Sequence, residues 1–121
     1  MDVMAEPETD QRLENCRTNL RLAIALRKMN YSEVALKAGL SRNTVSQFVA
    51  GRTSMTYAKL LAVCDVLQLP IGILHRPDAI TSNRIRLHRL LERMPDHLAG
   101  RAFEAAAAVV GEEAASDDES S

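Results

Sequence analysis

The sequence is poor in aromatic residues: its 121 residues include two Phe, two Tyr and no Trp. Apolar residues still make up 46% of the chain, so a core has to be assembled from Leu, Ile, Val, Ala and Met, as in helical bundles. Cysteine is scarce as well. Cys16 and Cys64 stand far apart with no C-x-x-C pairing, which excludes a disulfide-stapled secreted scaffold. The three histidines, His75, His88 and His97, lack metal-ligand spacing. There is no glycine-rich phosphate loop, and Ser and Thr fall at helix caps and in the tail, not beside a base. No metal, no cofactor and no catalysis are expected. No run of about 18 apolar residues exists to span a membrane. The opening residues hold Asp2, Glu6, Glu8 and Asp10 and no base, the reverse of a signal-peptide start. These absences point to the cytoplasm, with reduced thiols.

The formal net charge of −1 hides a segregation of charge. Residues 1–11 carry four acids and no base, and residues 112–121 carry Glu112, Glu113, Asp117, Asp118 and Glu119 and no base. All fifteen Lys and Arg therefore fall within residues 12–111, beside seven acids. A basic body between acidic ends points to a polyanionic partner, although the solvated Arg faces of an ordinary helical protein give the same count. Both ends read as disordered: residues 1–11 have Pro7 and no apolar period, and residues 112–121 are low-complexity acid and Ser. They are solubilising tails or competitors of a polyanion for the basic body.

Helical periodicity begins at Leu13, with Leu13, Cys16, Leu20, Ala23 and Ile24 on one face and Leu22, Leu26 and Met29 roughly opposite. A helix apolar on two faces expects cover on both. Asn30, with Glu33 three residues later, forms a capping-box pattern for a short helix Tyr31–Ala38 that turns Val34 and Ala35 inward. Gly39 ends it and Leu40 plugs inward. Ser41 reads as the next N-cap, for a helix from Arg42 to about Val49 that buries Val45 and Phe48 before Gly51. Thr56 caps a fourth helix with Tyr57, Leu60, Leu61, Cys64 and Leu67 inward, and Pro70 starts a short fifth through Ile73 and Leu74, closed by Pro77. Further on, Ile85, Leu87, Leu90, Leu91 and Met94 mark one helix; Pro95 breaks it and opens another through Leu98, Phe103 and Ala105–Ala108 to Val110. No strand pattern occurs.

The string NYSEVALKAGLSRNTVSQFVAG at residues 30–51 combines caps, glycines and apolar spacing in one order. It resembles the phage-repressor and Cro-type helix-turn-helix of the XRE family, and the resemblance extends from about Leu20 to Leu74, with Ala35, Gly39, Val45 and Phe48 at the positions that set the interhelical angle. The second helix of such a motif enters the major groove, where the base pairs present distinct donor and acceptor patterns. Arg42, Asn43, Ser46 and Gln47 are the expected base readers. Arg42 suits guanine O6 and N7; Asn43 and Gln47 suit adenine N6 and N7. Tyr31, Ser41, Thr44, Arg52, Thr53 and Ser54 are the expected phosphate contacts. No Asp or Glu occurs between Ser41 and Ala58, as a surface set against phosphates requires. The sequence departs from the family pattern at Tyr31, where relatives often carry Gln, at Val49 and Ala50 in place of a charged pair, and at Gln68, where relatives often have Gly.

The expected architecture is all-α: a lambda-repressor-like five-helix DNA-binding bundle at residues 12–78 and a C-terminal two-helix segment at 79–111. Arg84, Arg86, Arg89 and Arg93 surround the apolar stripe of that segment, and Leu87, Leu90, Leu91, Met94, Leu98 and Phe103 are its expected dimerisation residues. The resemblance implies a homodimeric, nucleoid-associated repressor of a palindromic double-stranded DNA operator. An antitoxin that represses its own operon and binds a protein partner through the C-terminal segment, an activator, and, last, a ligand-sensing regulator are the alternatives.

Overall fold

The computed structural model describes residues 10–120, and the side chains of residues 10–113. Six helices follow one another: α1 (Gln11–Leu26), α2 (Tyr31–Lys37), α3 (Thr44–Val49), α4 (Tyr57–Leu67), α5 (Ser82–Arg93) and α6 (Asp96–Ser120), with a 3₁₀ turn at Ile71–Ile73 between α4 and α5. There is no strand among the described residues, so the chain is all-α as expected. No described helix is long and apolar enough to cross a membrane. The chain divides into two compact units, the first ending at Leu87 and the second beginning at His88.

Local chemistry accounts for most helix starts. Asp10 accepts from the Arg12 N–H at 2.9 Å and starts α1 two residues before the expected Leu13. Residues 1–9, most of the expected disordered N-terminus, lie outside the described residues. Asn30 accepts from the Glu33 N–H at 2.8 Å, and Thr56 accepts from the Lys59 N–H at 3.3 Å, both as the capping patterns predict. The Glu33 carboxylate pairs forward with Lys37 at 3.6 Å.

The helices α1 to α4 all stop in the same way. A residue in the left-handed region follows each of them, and two N–H groups reach back over the last turn. After α2 these are Gly39 to the Leu36 carbonyl (3.0 Å) and Leu40 to Ala35 (2.9 Å); after α3, Gly51 to Phe48 (3.0 Å) and Arg52 to Gln47 (2.9 Å). After α1 the left-handed residue is Lys28 (φ 56°) and after α4 it is Gln68 (φ 52°), with Met29 bonding Ile24 and Leu69 bonding Cys64. Gln68 thus adopts the conformation that Gly would take there without strain.

The core of the first unit gathers Leu20, Ala23 and Ile24 of α1, Val34 and Ala35 of α2, Val45 and Phe48 of α3, and Val63, Cys64 and Leu67 of α4. Leu69, Ile73, Leu74, Ala79 and Ile80 complete it, so the core runs past the expected boundary at 78. Four expectations need correction. First, α4 buries Val63, Cys64 and Leu67, while Tyr57 and Leu61 are exposed; with only Lys59 and Asp65 polar, its sequence does not single out a face. Second, the fifth helix is a single 3₁₀ turn, because Gly72 and two β-branched Ile are poor helix formers and Pro77 follows closely. Third, residues 112–120, expected to be disordered, continue α6; the surrounding alanines favour helix without any apolar period. Fourth, Leu22 and Leu26, expected to be covered, are 43% and 48% exposed.

Candidate nucleic-acid interface

The turn between α2 and α3 fixes the candidate reading surface. Gly39 has φ +76°, a conformation that a side chain disfavours. A Cβ there would meet nothing within 4 Å, so the glycine serves the backbone angle alone. Val34 and Ala35 behind it and Val45 and Phe48 ahead of it are buried, which fixes the mutual orientation of α2 and α3 through packing.

The second helix begins later than its sequence indicates. The Thr44 N–H donates to the Ser41 carbonyl at 3.0 Å, and Asn43 sits at φ −95°, ψ 2°, the third position of a type I turn. Arg42 and Asn43 therefore lie in the turn that feeds α3, not in its first helical turn. Asn43, not Ser41, occupies the N-cap position, and it makes no capping bond with its side chain. Its amide is therefore not used by the helix end. Ser41, Arg42, Asn43 and Gln47 are exposed, and Thr44 and Ser46 are half-buried. The Ser46 hydroxyl donates to the Asn43 carbonyl at 3.1 Å, which leaves it only lone pairs for a ligand.

Beyond Gly51 (φ +84°) the chain carries Arg52, Thr53 and Ser54, all exposed. Tyr31 is half-buried against the core and lines, with Arg21, Met29 and Asn30, a cleft of about 300 Å³. The two departures at Val49 and Ala50 differ in placement: Val49 packs against the core and Ala50 is exposed.

Residues that the periodicity did not bring out hold this surface in place. Arg17 of α1 is only 8% exposed. Its Nε donates to the Phe48 carbonyl at 2.8 Å, and a terminal nitrogen donates to the Thr53 carbonyl at 3.2 Å; Glu14 pairs with it at 3.1 Å. Arg17 thereby binds the end of α3 and the segment after it to α1. Asn19, 2% exposed, donates to the carbonyls of Leu74 and Arg76, both at 2.7 Å, and Asn15 donates to that of His75 at 2.9 Å. Arg27 donates to the Leu67 carbonyl at 3.1 Å and to Gln68 Oε1 at 2.8 Å. Side chains of α1 and of its C-cap Arg27 thus bind carbonyls at the ends of three other elements, and two of the donors are cations placed where a helix dipole favours them.

The cysteines have no features of a reactive site. Cys64 is buried, and burial pushes its thiol up to about 12; Cys16 is half-buried, and burial raises it too. A raised thiol pKa means little thiolate, hence little nucleophilicity. Leu87, Leu90, Leu91, Leu98 and Phe103 are exposed, and Met94 is half-buried.

Two short helices in this arrangement, with a glycine turn, a packed inner face and a carboxylate-free outer row, define a helix-turn-helix DNA-binding protein. Residues 19–74 match the family model of the Cro/C1-type HTH DNA-binding domain. No curated protein and no solved structure matches the chain. Residues 19–74 thus resemble a Cro/C1-type HTH DNA-binding domain, which supports a DNA-binding regulator of the XRE type.

Proposed function

We propose that the protein is a homodimeric repressor that reads a palindromic double-stranded DNA operator through the major groove. The observation that carries this reading is the exposed row Ser41, Arg42, Asn43 and Gln47, followed by Arg52, Thr53 and Ser54, with no carboxylate between Ser41 and Ala58. Arg42, Asn43 and Gln47 read base edges, and Ser46 contributes its lone pairs. Tyr31, Ser41, Thr44, Arg52, Thr53 and Ser54 contact phosphates and set the register. One α3 of six residues covers few base pairs; a two-fold pair doubles the contacts and places two half-sites about one helical turn apart. The uncovered apolar residues of α5 and α6 supply the pairing surface. Repression follows from occupancy, since a dimer sitting over a promoter blocks polymerase.

Selection of bound duplexes from a randomised pool tests this. An enriched inverted repeat with half-sites about 10 base pairs apart is expected. Binding without any enriched motif, governed by salt alone, contradicts it and favours a partner-binding role such as that of an antitoxin.

A further inference from the structure

Four arginines stand on α1 and at its C-cap, and three of them are engaged. Arg12 pairs with Asp10 at 2.9 Å. Arg17 holds Glu14 and the carbonyls of Phe48 and Thr53, and Arg27 holds the Leu67 carbonyl and Gln68. Arg21 is exposed and has no ion pair or hydrogen bond among the described residues. The sequence offers it little to pair with. Between Glu14 and Asp65 the one acid is Glu33, which pairs with Lys37 at 3.6 Å.

Arg21 lines the cleft of about 300 Å³ together with Ile24, Ala25, Met29, Asn30 and Tyr31. Arg21, Ile24 and Ala25 stand at three- and four-residue spacing and share one face of α1. The left-handed turn at Lys28 brings the chain back against α1, the Met29 N–H donating to the Ile24 carbonyl at 3.2 Å. Asn30 and Tyr31 follow directly and join the lining.

Three side chains of the lining hold unused donors. Asn30 Oδ1 accepts from the Glu33 N–H at 2.8 Å and from the Ser32 hydroxyl at 2.9 Å. That fixes the orientation of the amide and leaves its nitrogen without an acceptor among the described residues. The Tyr31 hydroxyl has no partner among them either. A guanidinium, an amide and a phenol thus meet beside the apolar Ala25 and Met29, and no carboxylate lines the cleft. Of the lining residues only Ile24 is buried, so the cleft is open. It suits a chain laid across it better than a small molecule, which needs a pocket that encloses it. The DNA backbone is such a chain: it alternates an apolar deoxyribose with an anionic phosphate.

We propose that this cleft clamps the DNA backbone, one phosphate seating among Arg21, the Asn30 amide and the Tyr31 hydroxyl, with its deoxyribose against Ala25 and Met29. This rests on the DNA-binding reading above and adds Arg21 and Asn30 to its contacts.

The test titrates the full chain, Arg21→Ala and Tyr31→Phe against the duplex enriched from the randomised pool, at several salt concentrations. Thermal unfolding checks that the variants keep their stability. Arg21→Ala should bind about tenfold more weakly, as loss of a charge-assisted contact implies. Its slope of log affinity against log salt should fall by about one for each bound copy. Tyr31→Phe should lose about threefold with the slope unchanged, since it removes a neutral donor. A scan with single uncharged methylphosphonates then locates the partner. One phosphate per half-site should weaken the unaltered chain when neutralised and leave Arg21→Ala unaffected. An unaltered chain that enriches no duplex overturns the reading above and the clamp with it. Arg21→Ala with full affinity and slope, or a loss that no single neutralised phosphate reproduces, overturns the clamp alone.

Discussion

The guanidinium of Arg17 lies 5.0 Å from the centre of the Phe48 ring, and its Nε donates to the Phe48 carbonyl at 2.8 Å. One side chain of α1 thus holds both the buried ring and the backbone end of α3. The same guanidinium continues to the Thr53 carbonyl, in the segment that carries Arg52, Thr53 and Ser54. Packing in the first unit and the position of the proposed phosphate contacts share a single residue.

Replacing Arg17 by Met keeps the aliphatic bulk and removes the donors. Charge-assisted hydrogen bonds are worth about 1.5–3 kcal/mol each, so Arg17→Met should lower the unfolding free energy by about 2–3 kcal/mol. DNA affinity should fall as well, although Arg17 itself is buried. Urea denaturation and a duplex titration on the same preparation measure both. Stability and affinity that both match the unaltered chain would remove Arg17 from its role.

The four left-handed helix ends make paired predictions of opposite sign. Lys28 holds φ 56° against its side chain's preference, so Lys28→Gly should stabilise the protein by about 0.5–1 kcal/mol, the relief of left-handed strain less the extra freedom of the unfolded glycine. Gly39→Ala should destabilise it by about 1–2 kcal/mol, all of it conformational because the added Cβ has open space. Thermal or urea midpoints decide, and a Gly39→Ala variant as stable as the parent would contradict the turn argument.

Burial of Cys64 predicts both reactivity and pH dependence. Its thiol ionises only near pH 12 in the folded protein against an ordinary 9.0. The preference of the folded state for the neutral thiol is therefore intact below about pH 9 and lost as pH rises toward 12. A thiol reagent at pH 8 should modify Cys16 before Cys64, with Cys64 reacting at the rate of unfolding. Rapid modification of Cys64 in the native protein would place it outside the core.

Much of the fold was legible because caps and glycines are local signals. Asn30, Thr56, Gly39 and Gly51 each announce their role by residue type, and Val34, Ala35, Val45 and Phe48 by spacing. What escaped depends on tertiary partners. Nothing in the sequence around Lys28 marks a left-handed residue, and at Gln68 the one sign is the Gly that the family resemblance places there. Arg17 and Asn19 carry no sign of burial in the sequence, and it is the carbonyls of Phe48, Thr53, Leu74 and Arg76, to which they donate, that explain it. The placement of the proposed base readers was not fully legible, since Arg42 and Asn43 precede α3. The apolar period of α1 flagged Leu22 and Leu26 but could not tell that they remain exposed.

Arg52 separates affinity from reading. As a proposed phosphate contact, it should add about one to the slope of log affinity against log salt. Arg52→Ala should therefore lose that much slope and weaken all sequences alike. Loss confined to one sequence would make Arg52 a base reader instead.

The central claim is that the turn and first residues of α3 read bases. The most direct test repeats the randomised-duplex selection with Arg42→Ala. The account predicts the same inverted repeat, with one base position per half-site relaxed and about 1–3 kcal/mol of discrimination lost there. An unchanged motif at full strength, position by position, would contradict it and move the reading surface elsewhere.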